Sequence, residues 1–467
     1  MKKLFLTTSF LLVLLNAFAQ QELTIYNMDA IGQSTQYNPS LMPLNNWYMG
    51  IPALSSTSLL FTNSGFTWRD IHKRRSDDSI TLDIENAISK LAPKNFINLS
   101  VRVNLLEAGV RVKKNYFTMN VSEKANFNFT FPKEFFELAL QGNGAFIGKE
   151  VNLKRLSFDA THYREYAFGW ARELNGKVTT GVRLKYLYGM ENVSSAKSEL
   201  SFYTAPDDYA LILKTDYRIN TSMASNSDDA SSNYMFGFKN TGWAGDFSIT
   251  YKYTDRLKLN ASILDIGYIN WTSNTKNYVA QNGGYTFNGI DLNEFMNDSS
   301  SFDHVSDSLS DAFEPQENND AYKTTLPAHI YLNASYQLGQ RMTATGLIHA
   351  QTYSGTVQPS FTLGLNRQVS NHLSASLNYS MINHHLNNVG VGLAANAGAF
   401  QFYMLTDNII GTINPLGNHT THIHFGFNLI FGRPKIKKLT TDYGVQNKSL
   451  PVIDSGRVPD NTNTKED

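Results

Sequence analysis

The chain contains no cysteine among its 467 residues. That removes a disulfide framework, a thiolate nucleophile, a Cys-ligated zinc and a cysteine-linked lipid anchor. Beyond the first nineteen residues no stretch approaches the roughly 20 consecutive apolar residues that a spanning helix requires, and mean hydropathy is only -0.31. A polytopic helical membrane protein is excluded. Charge of one sign is also missing: forty basic and forty acidic residues cancel, so no global field recruits nucleic acid or an acidic partner. The signatures of common chemistries are absent as well, with no G-x-S-x-G elbow, H-E-x-x-H pair or P-loop. Charged residues make up just 17% of the chain while aromatics reach 12%, a bias toward β-formers that points to an all-β protein.

Lys2 and Lys3 precede an apolar run, Leu4 to Leu15, and Asn16-Ala17-Phe18-Ala19 supplies small residues ahead of Gln20. Residues 1–19 therefore read as a cleaved signal peptide, and the chain is expected to leave the cytoplasm. Beyond it the recurrent signal is strict alternation. Ile423, Phe425, Phe427, Leu429 and Phe431 share one face of a strand, and His422, His424, Gly426 and Asn428 share the other. Leu373 to Met381, Val389 to Leu393, Phe117 to Phe131, Phe247 to Tyr253 and Ile330 to Tyr336 repeat the pattern. Most of these segments are about 10 residues or longer, which suits a tilted strand crossing a bilayer better than a soluble sheet.

A soluble sandwich and a membrane barrel both alternate, and the connections separate them. Lys113-Lys114-Asn115, Leu174-Asn175-Gly176, Pro206-Asp207-Asp208, Thr254-Asp255-Arg256 and Leu338-Gly339-Gln340 read as tight turns, and longer loops fall between them. Tight turns at one end and long loops at the other describe an outer-membrane barrel. The expected fold is thus an all-β, antiparallel up-and-down transmembrane β-barrel of about 14 to 16 strands, in residues 57–431, from Thr57 to Phe431. Trp47, Tyr48, Trp68, Tyr166, Trp170, Tyr186, Tyr188, Trp243, Tyr253, Tyr268 and Trp271 fit interfacial girdles. Residues 20–56 carry Asn38 and Pro39 in a proline-broken stretch that cannot be a regular strand and is expected to form a short hatch in the lumen or across its mouth. Residues 272–325 form a long acidic outer loop without the ligand spacing of an EF-hand. Pro132 to Gln141 reads as a short helix, and residues 432–467 as a polar periplasmic tail with a basic patch at Lys435, Lys437 and Lys438.

By strand parity Arg102, Arg111, Glu165, Arg183, Lys185, Asp246, Lys252 and Lys258 point into the lumen. Both signs are present, so the groups either pair to fill and stiffen the barrel or line a selective path. His372, His422 and His424 share the inward parity. His422 and His424, two apart on a strand, would need a third ligand from a neighbour to hold a metal, and no residue at defined spacing completes the set. No metal, cofactor or catalytic residue is assigned, and the chain is not expected to be an enzyme.

In order along the chain, Tyr37-Asn38-Pro39-Ser40, Gly50-Ile51-Pro52-Ala53-Leu54-Ser55, Asn63-Ser64-Gly65-Phe66, Val112 to Phe117, Asp265-Ile266-Gly267 with Trp271, and Thr406-Asp407-Asn408 with Asn414-Pro415 resemble the outer-membrane barrels of Bacteroidota known only as a domain of unknown function. These are in turn similar to the long-chain fatty-acid transporter and PorV superfamily. The resemblance runs from about Gln20 to Phe431. It implies the outer membrane of a Gram-negative bacterium, a lipid-facing exterior, and passage or reception of a small hydrophobic molecule. The alternative it implies is an accessory barrel in a type IX-like secretion or surface-assembly complex. That family usually has Asn-Pro-Ala where this chain has Asn38-Pro39-Ser40, and no ligand residue is carried over.

Overall fold

The computed structural model describes residues 22–223, 239–287, 315–353, 356–382 and 385–432. The signal-peptide segment, residues 288–314 of the acidic loop and residues 433–467 lie outside the described residues.

Alternating sequence produces long antiparallel strands that close into a barrel of fourteen. From the N-terminus the wall runs through a first strand in two pieces, Trp47–Gly50 and Thr57–Asn63, then Lys94–Val112, Asn115–Pro132, Ser157–Asn175, Val178–Thr204, Asn240–Lys252 and Leu257–Trp271. It continues through Ala328–Gly339, Met342–Tyr353, Thr356–Gln368, Leu373–Ile382, His385–Ala397, Phe400–Thr406 and Thr420–Phe431. The last strand closes on the first through Trp47↔Phe431 and Thr57↔Phe425, with Trp47 stacked on Phe431 at 3.8 Å. Wall formation therefore begins at Trp47, ten residues before the expected start at Thr57. The break Ile51 to Ser56 is bridged by hydrogen bonds to both neighbours, Ile51 N to Phe427 O and Ala53 N to Leu105 O, so the seam is continuous.

Burial settles the choice between sandwich and barrel. Along Thr420–Phe431 the polar face (Thr420, His422, His424, Asn428) is buried and Phe427 and Phe431 are exposed. Leu332, Leu363, Leu377 and Met404 are all about half exposed, whereas the interleaved Asn333, Thr362, Ser376 and Asn378 are buried. A sandwich buries its apolar face; here the polar face is inside and the apolar face is outside. Among the described residues no helix is long and apolar enough to cross a membrane, a fact that says nothing of strands.

One connection differs from expectation. Pro206 to Asp208 was expected among the tight turns, but Val178–Thr204 is a single 27-residue strand that carries this turn to the long-loop end. There its far half pairs with Leu211–Ser222, which pairs with Asn277–Phe287. These strands extend the sheet beyond the wall. Alternation alone cannot distinguish one long strand from two, because the side-chain period does not change. The helix expected near Pro132 is present at Lys133–Gln141.

Two expected girdle aromatics face inward. Tyr48 and Trp271 are buried, and Trp271 donates its Nε1 hydrogen to Thr324 Oγ1 at 2.9 Å.

Candidate functional site: a plugged lumen

Glu22 to Leu44 occupies the lumen. The segment is almost wholly buried and folds as a short helix, Leu23–Tyr26, and a 3-10 turn, Gly32–Gln36. Leu23, Ile25, Tyr26, Met28, Ile31 and Tyr37 pack against inward-facing Leu264, Tyr331, Leu347, Ala394, Tyr403 and Leu405 of the wall. Tyr26 stacks on Tyr331 at 4.7 Å, and its hydroxyl bonds Asn260 and Ser262.

Polar anchors fix the register of the segment. The Asp407 carboxylate accepts from Leu23 N at 3.2 Å and Thr24 N at 2.8 Å, satisfying amides that the start of a helix leaves without internal partners. Gln33 donates to Asn428 at 2.7 Å and Glu107 at 3.1 Å, and Gln36 donates to Glu107 at 2.8 Å. Asn38 Oδ1 accepts from Ser248 at 3.0 Å and Asn260 at 3.1 Å, so the expected hatch residue does sit in the lumen. Pro39 lies against the wall where Gly181 leaves room: a Cβ at Gly181 would lie 2.2 Å from the Pro39 carbonyl. Arg111 donates to Pro43 O and Arg102 bonds the Tyr37 hydroxyl.

Beside the plug, wall charges form one lattice. Lys185 Nζ is 2.7 Å from both Asp246 and Asp265 and 3.8 Å from Glu165. Arg183 bridges Asp246 at 3.4 Å and Glu165 at 3.6 Å, and donates to Gln36 O at 3.0 Å. Lys124 pairs with Glu165 at 2.6 Å. Four of the expected lumen residues, Glu165, Arg183, Lys185 and Asp246, are thus brought together, and Arg102 lines the cavity beside them. The other six are dispersed. Arg111 binds the end of the plug. Lys252 pairs with Asp255 in a turn at 3.0 Å, and Lys258 is exposed at the tight-turn mouth. His372 is an exposed turn residue bonded to Asn396 O at 3.1 Å, because it precedes its strand, Leu373–Ile382, and strand parity does not govern it. His422 and His424 are buried on the opposite wall, where Glu22 approaches them.

Sequence parity missed several members. Glu107 is hidden because a bulge between Asn104 and Leu106 shifts the phase of Lys94–Val112, turning an apparent outward position inward. Asp265 sits at a second irregularity opposite Gly245 and Phe247, with φ of 59°; that conformation aims its carboxylate at Lys185. Lys124 lies on the readable polar parity between Ser122 and Asn126.

The plug separates two kinds of space. Toward the long loops a polar cavity of about 80 Å³, lined by Arg102, Lys124, Asp265 and His329, holds room for a few waters. Toward the tight turns lie cavities of about 410 and 320 Å³ that share Asn27, Asp29, Leu41, Lys258 and Ser335.

The chain matches the model of a family of unknown function (DUF5723) over residues 39–407 and belongs to that family. No curated protein matches it. Among solved structures it is similar to a TodX monoaromatic hydrocarbon channel mutant, with TM-score 0.46, 11% identity, and coverage of 89% of this chain and 97% of that one. It is also similar to the Ralstonia pickettii toluene transporter TbuX, with TM-score 0.40, 9% identity, and coverage of 86% and 94%. A Pseudomonas aeruginosa FadL homologue gives TM-score 0.40, 9% identity, and coverage of 90% and 100%.

Proposed function

We propose that this chain is an outer-membrane barrel that admits or receives a small hydrophobic molecule through a lumen gated by its N-terminal segment, without covalent chemistry. The outward apolar band supports a lipid-facing wall, and the tight turns then lie in the periplasm. The observation that carries the gate is the nature of the plug. It is one short segment held by packing and individually modest hydrogen bonds, about 0.5 to 1.5 kcal/mol each, between a nearly filled outer chamber and wide inner ones. The hydrophobic substrate class follows from what the plug covers. When the segment moves, Leu264, Tyr331, Leu347, Tyr403 and Leu405 present an apolar patch in an otherwise polar lumen, suited to a ligand that replaces Ile25, Tyr26 and Ile31.

Ser40 Oγ lies 2.8 Å from Ser248 Oγ, and the chain has no native cysteine. The double variant Ser40→Cys, Ser248→Cys therefore tethers plug to wall through a single disulfide. In proteoliposomes, uptake of toluene by the oxidised variant should fall to the protein-free rate and recover on reduction. Uptake unaffected by the tether would contradict the gate.

A further inference from the structure

We propose that Glu22, His422 and His424 bind one divalent transition-metal ion of the zinc type, which latches the plug to the last strand. One donor atom from each residue lies within 4.8 Å of the other two. His424 Nδ1 is fully buried without a hydrogen-bond partner and lies 3.5 Å from Glu22 Oε2. Around a tetrahedral zinc with bonds of about 2.0 to 2.2 Å, donors sit roughly 3.3 to 3.5 Å apart, so one edge of the site is already at its bound spacing. Movements of about an ångström complete the rest.

The outer partners leave the correct nitrogens free. His424 Nε2 is 2.8 Å from Ser56 Oγ, and the Tyr403 hydroxyl beside it already donates to Ser55 O at 2.8 Å. A proton on Nε2 satisfies this side and leaves the Nδ1 lone pair facing Glu22. The Asp407 backbone N–H donates to His422 Nδ1 at 3.1 Å, and Asp407 Oδ2 lies 3.1 Å from the same nitrogen. Metal binding at Nε2 moves the ring proton to Nδ1, where it donates to the carboxylate in place of that amide bond, giving the carboxylate–histidine–metal arrangement that orients metal-binding imidazoles. Ser58 Oγ donates to Glu22 Oε1 at 2.9 Å and so does not occupy His422 Nε2, 3.4 Å away. Arg102 Nη1, 3.4 Å from Glu22 Oε2, shares the carboxylate and lowers affinity below that of an isolated set of two imidazoles and a carboxylate. The imidazole pair and a single carboxylate favour zinc over calcium or magnesium, which take oxygen ligands.

The site stands on this geometry alone; its role as a latch rests on the gating reading above. The test is zinc titration of the detergent-extracted, chelator-stripped protein by calorimetry, with hydrogen exchange of Leu23 to Ile31 as second readout. One equivalent should bind, exchange in that segment should slow at least tenfold, and Glu22→Gln and His424→Asn should each weaken binding by about 100-fold or more, beyond the 10- to 100-fold typical of outer partners. Glu22→Gln preserves shape and leaves the wall untouched, so loss of binding there is not loss of fold. No saturable binding, or binding unchanged in both variants, overturns the site. Stoichiometric binding without slowed exchange overturns the latch. Toluene uptake by the tethered variant is read without metal, so its outcome is independent.

Discussion

Lys185 is the keystone of the charge lattice, and its removal gives a quantitative prediction. Its ammonium lies 2.7 Å from two carboxylates. Asp246 retains Arg183 at 3.4 Å, but among the described residues Asp265 has no other cation within 4 Å. Lys185→Met therefore leaves the Asp265 carboxylate without its ion-pair partner inside the lumen. Breaking a buried pair by removing one partner costs about 3 to 5 kcal/mol, and the expected loss of stability is in that range. Asp265→Asn removes the stranded charge, so the double variant should recover at least about 1.5 kcal/mol of the loss, a coupling typical of residues in contact. The assay is urea unfolding of the barrel in lipid vesicles, followed by tryptophan fluorescence. If Lys185→Met loses less than about 0.5 kcal/mol, or Asp265→Asn brings no recovery, the lattice is a solvated lining and not an integral filler.

Two further predictions concern the plug. Gly181→Val sets a side chain where the Pro39 backbone lies, its Cβ at 2.2 Å; the plug should be displaced and residues 22–46 become protease-sensitive while the wall remains resistant, and an unchanged digestion pattern would argue against this seat. Asp407→Asn removes the charged acceptor of Leu23 N and Thr24 N; a loss of about 1.5 to 3 kcal/mol should raise hydrogen exchange in Leu23–Tyr26 by roughly 10- to 100-fold, checked by mass spectrometry.

The readable and unreadable parts of this protein divide along physical lines. Alternation at Leu373 to Met381 and His422 to Phe431 fixed which side chains face inward, since a barrel wall with a polar lumen and an apolar exterior must alternate. Arg183, Lys185, Asp246 and Glu165 followed from the same rule. Wherever the backbone departs from a flat pleat the rule fails, as at Glu107 behind its bulge and Asp265 in its left-handed turn. Strand length also escaped, because nothing local marks where Val178–Thr204 leaves the wall. The plug was signalled by Asn38 and Pro39, but its partners were not. Glu22 meets His424 from the opposite end of the chain, and no spacing rule spans such a separation. His422 and His424 were visible as a pair in want of a third ligand, and only the fold supplies it.

Depth-dependent cost on the outward face tests the central claim, a barrel standing in a bilayer. Leu332 and Leu338 lie on one strand and are 50% and 48% exposed; Leu338 adjoins a tight turn, while Leu332 lies about 20 Å further along. Folding free energies of Leu332→Arg and Leu338→Arg are to be measured by insertion into lipid vesicles. The account predicts a cost of about 2 to 4 kcal/mol at Leu332 and no more than about 1 kcal/mol at Leu338. Equal, negligible costs at both positions, as expected for a face in water, would contradict it.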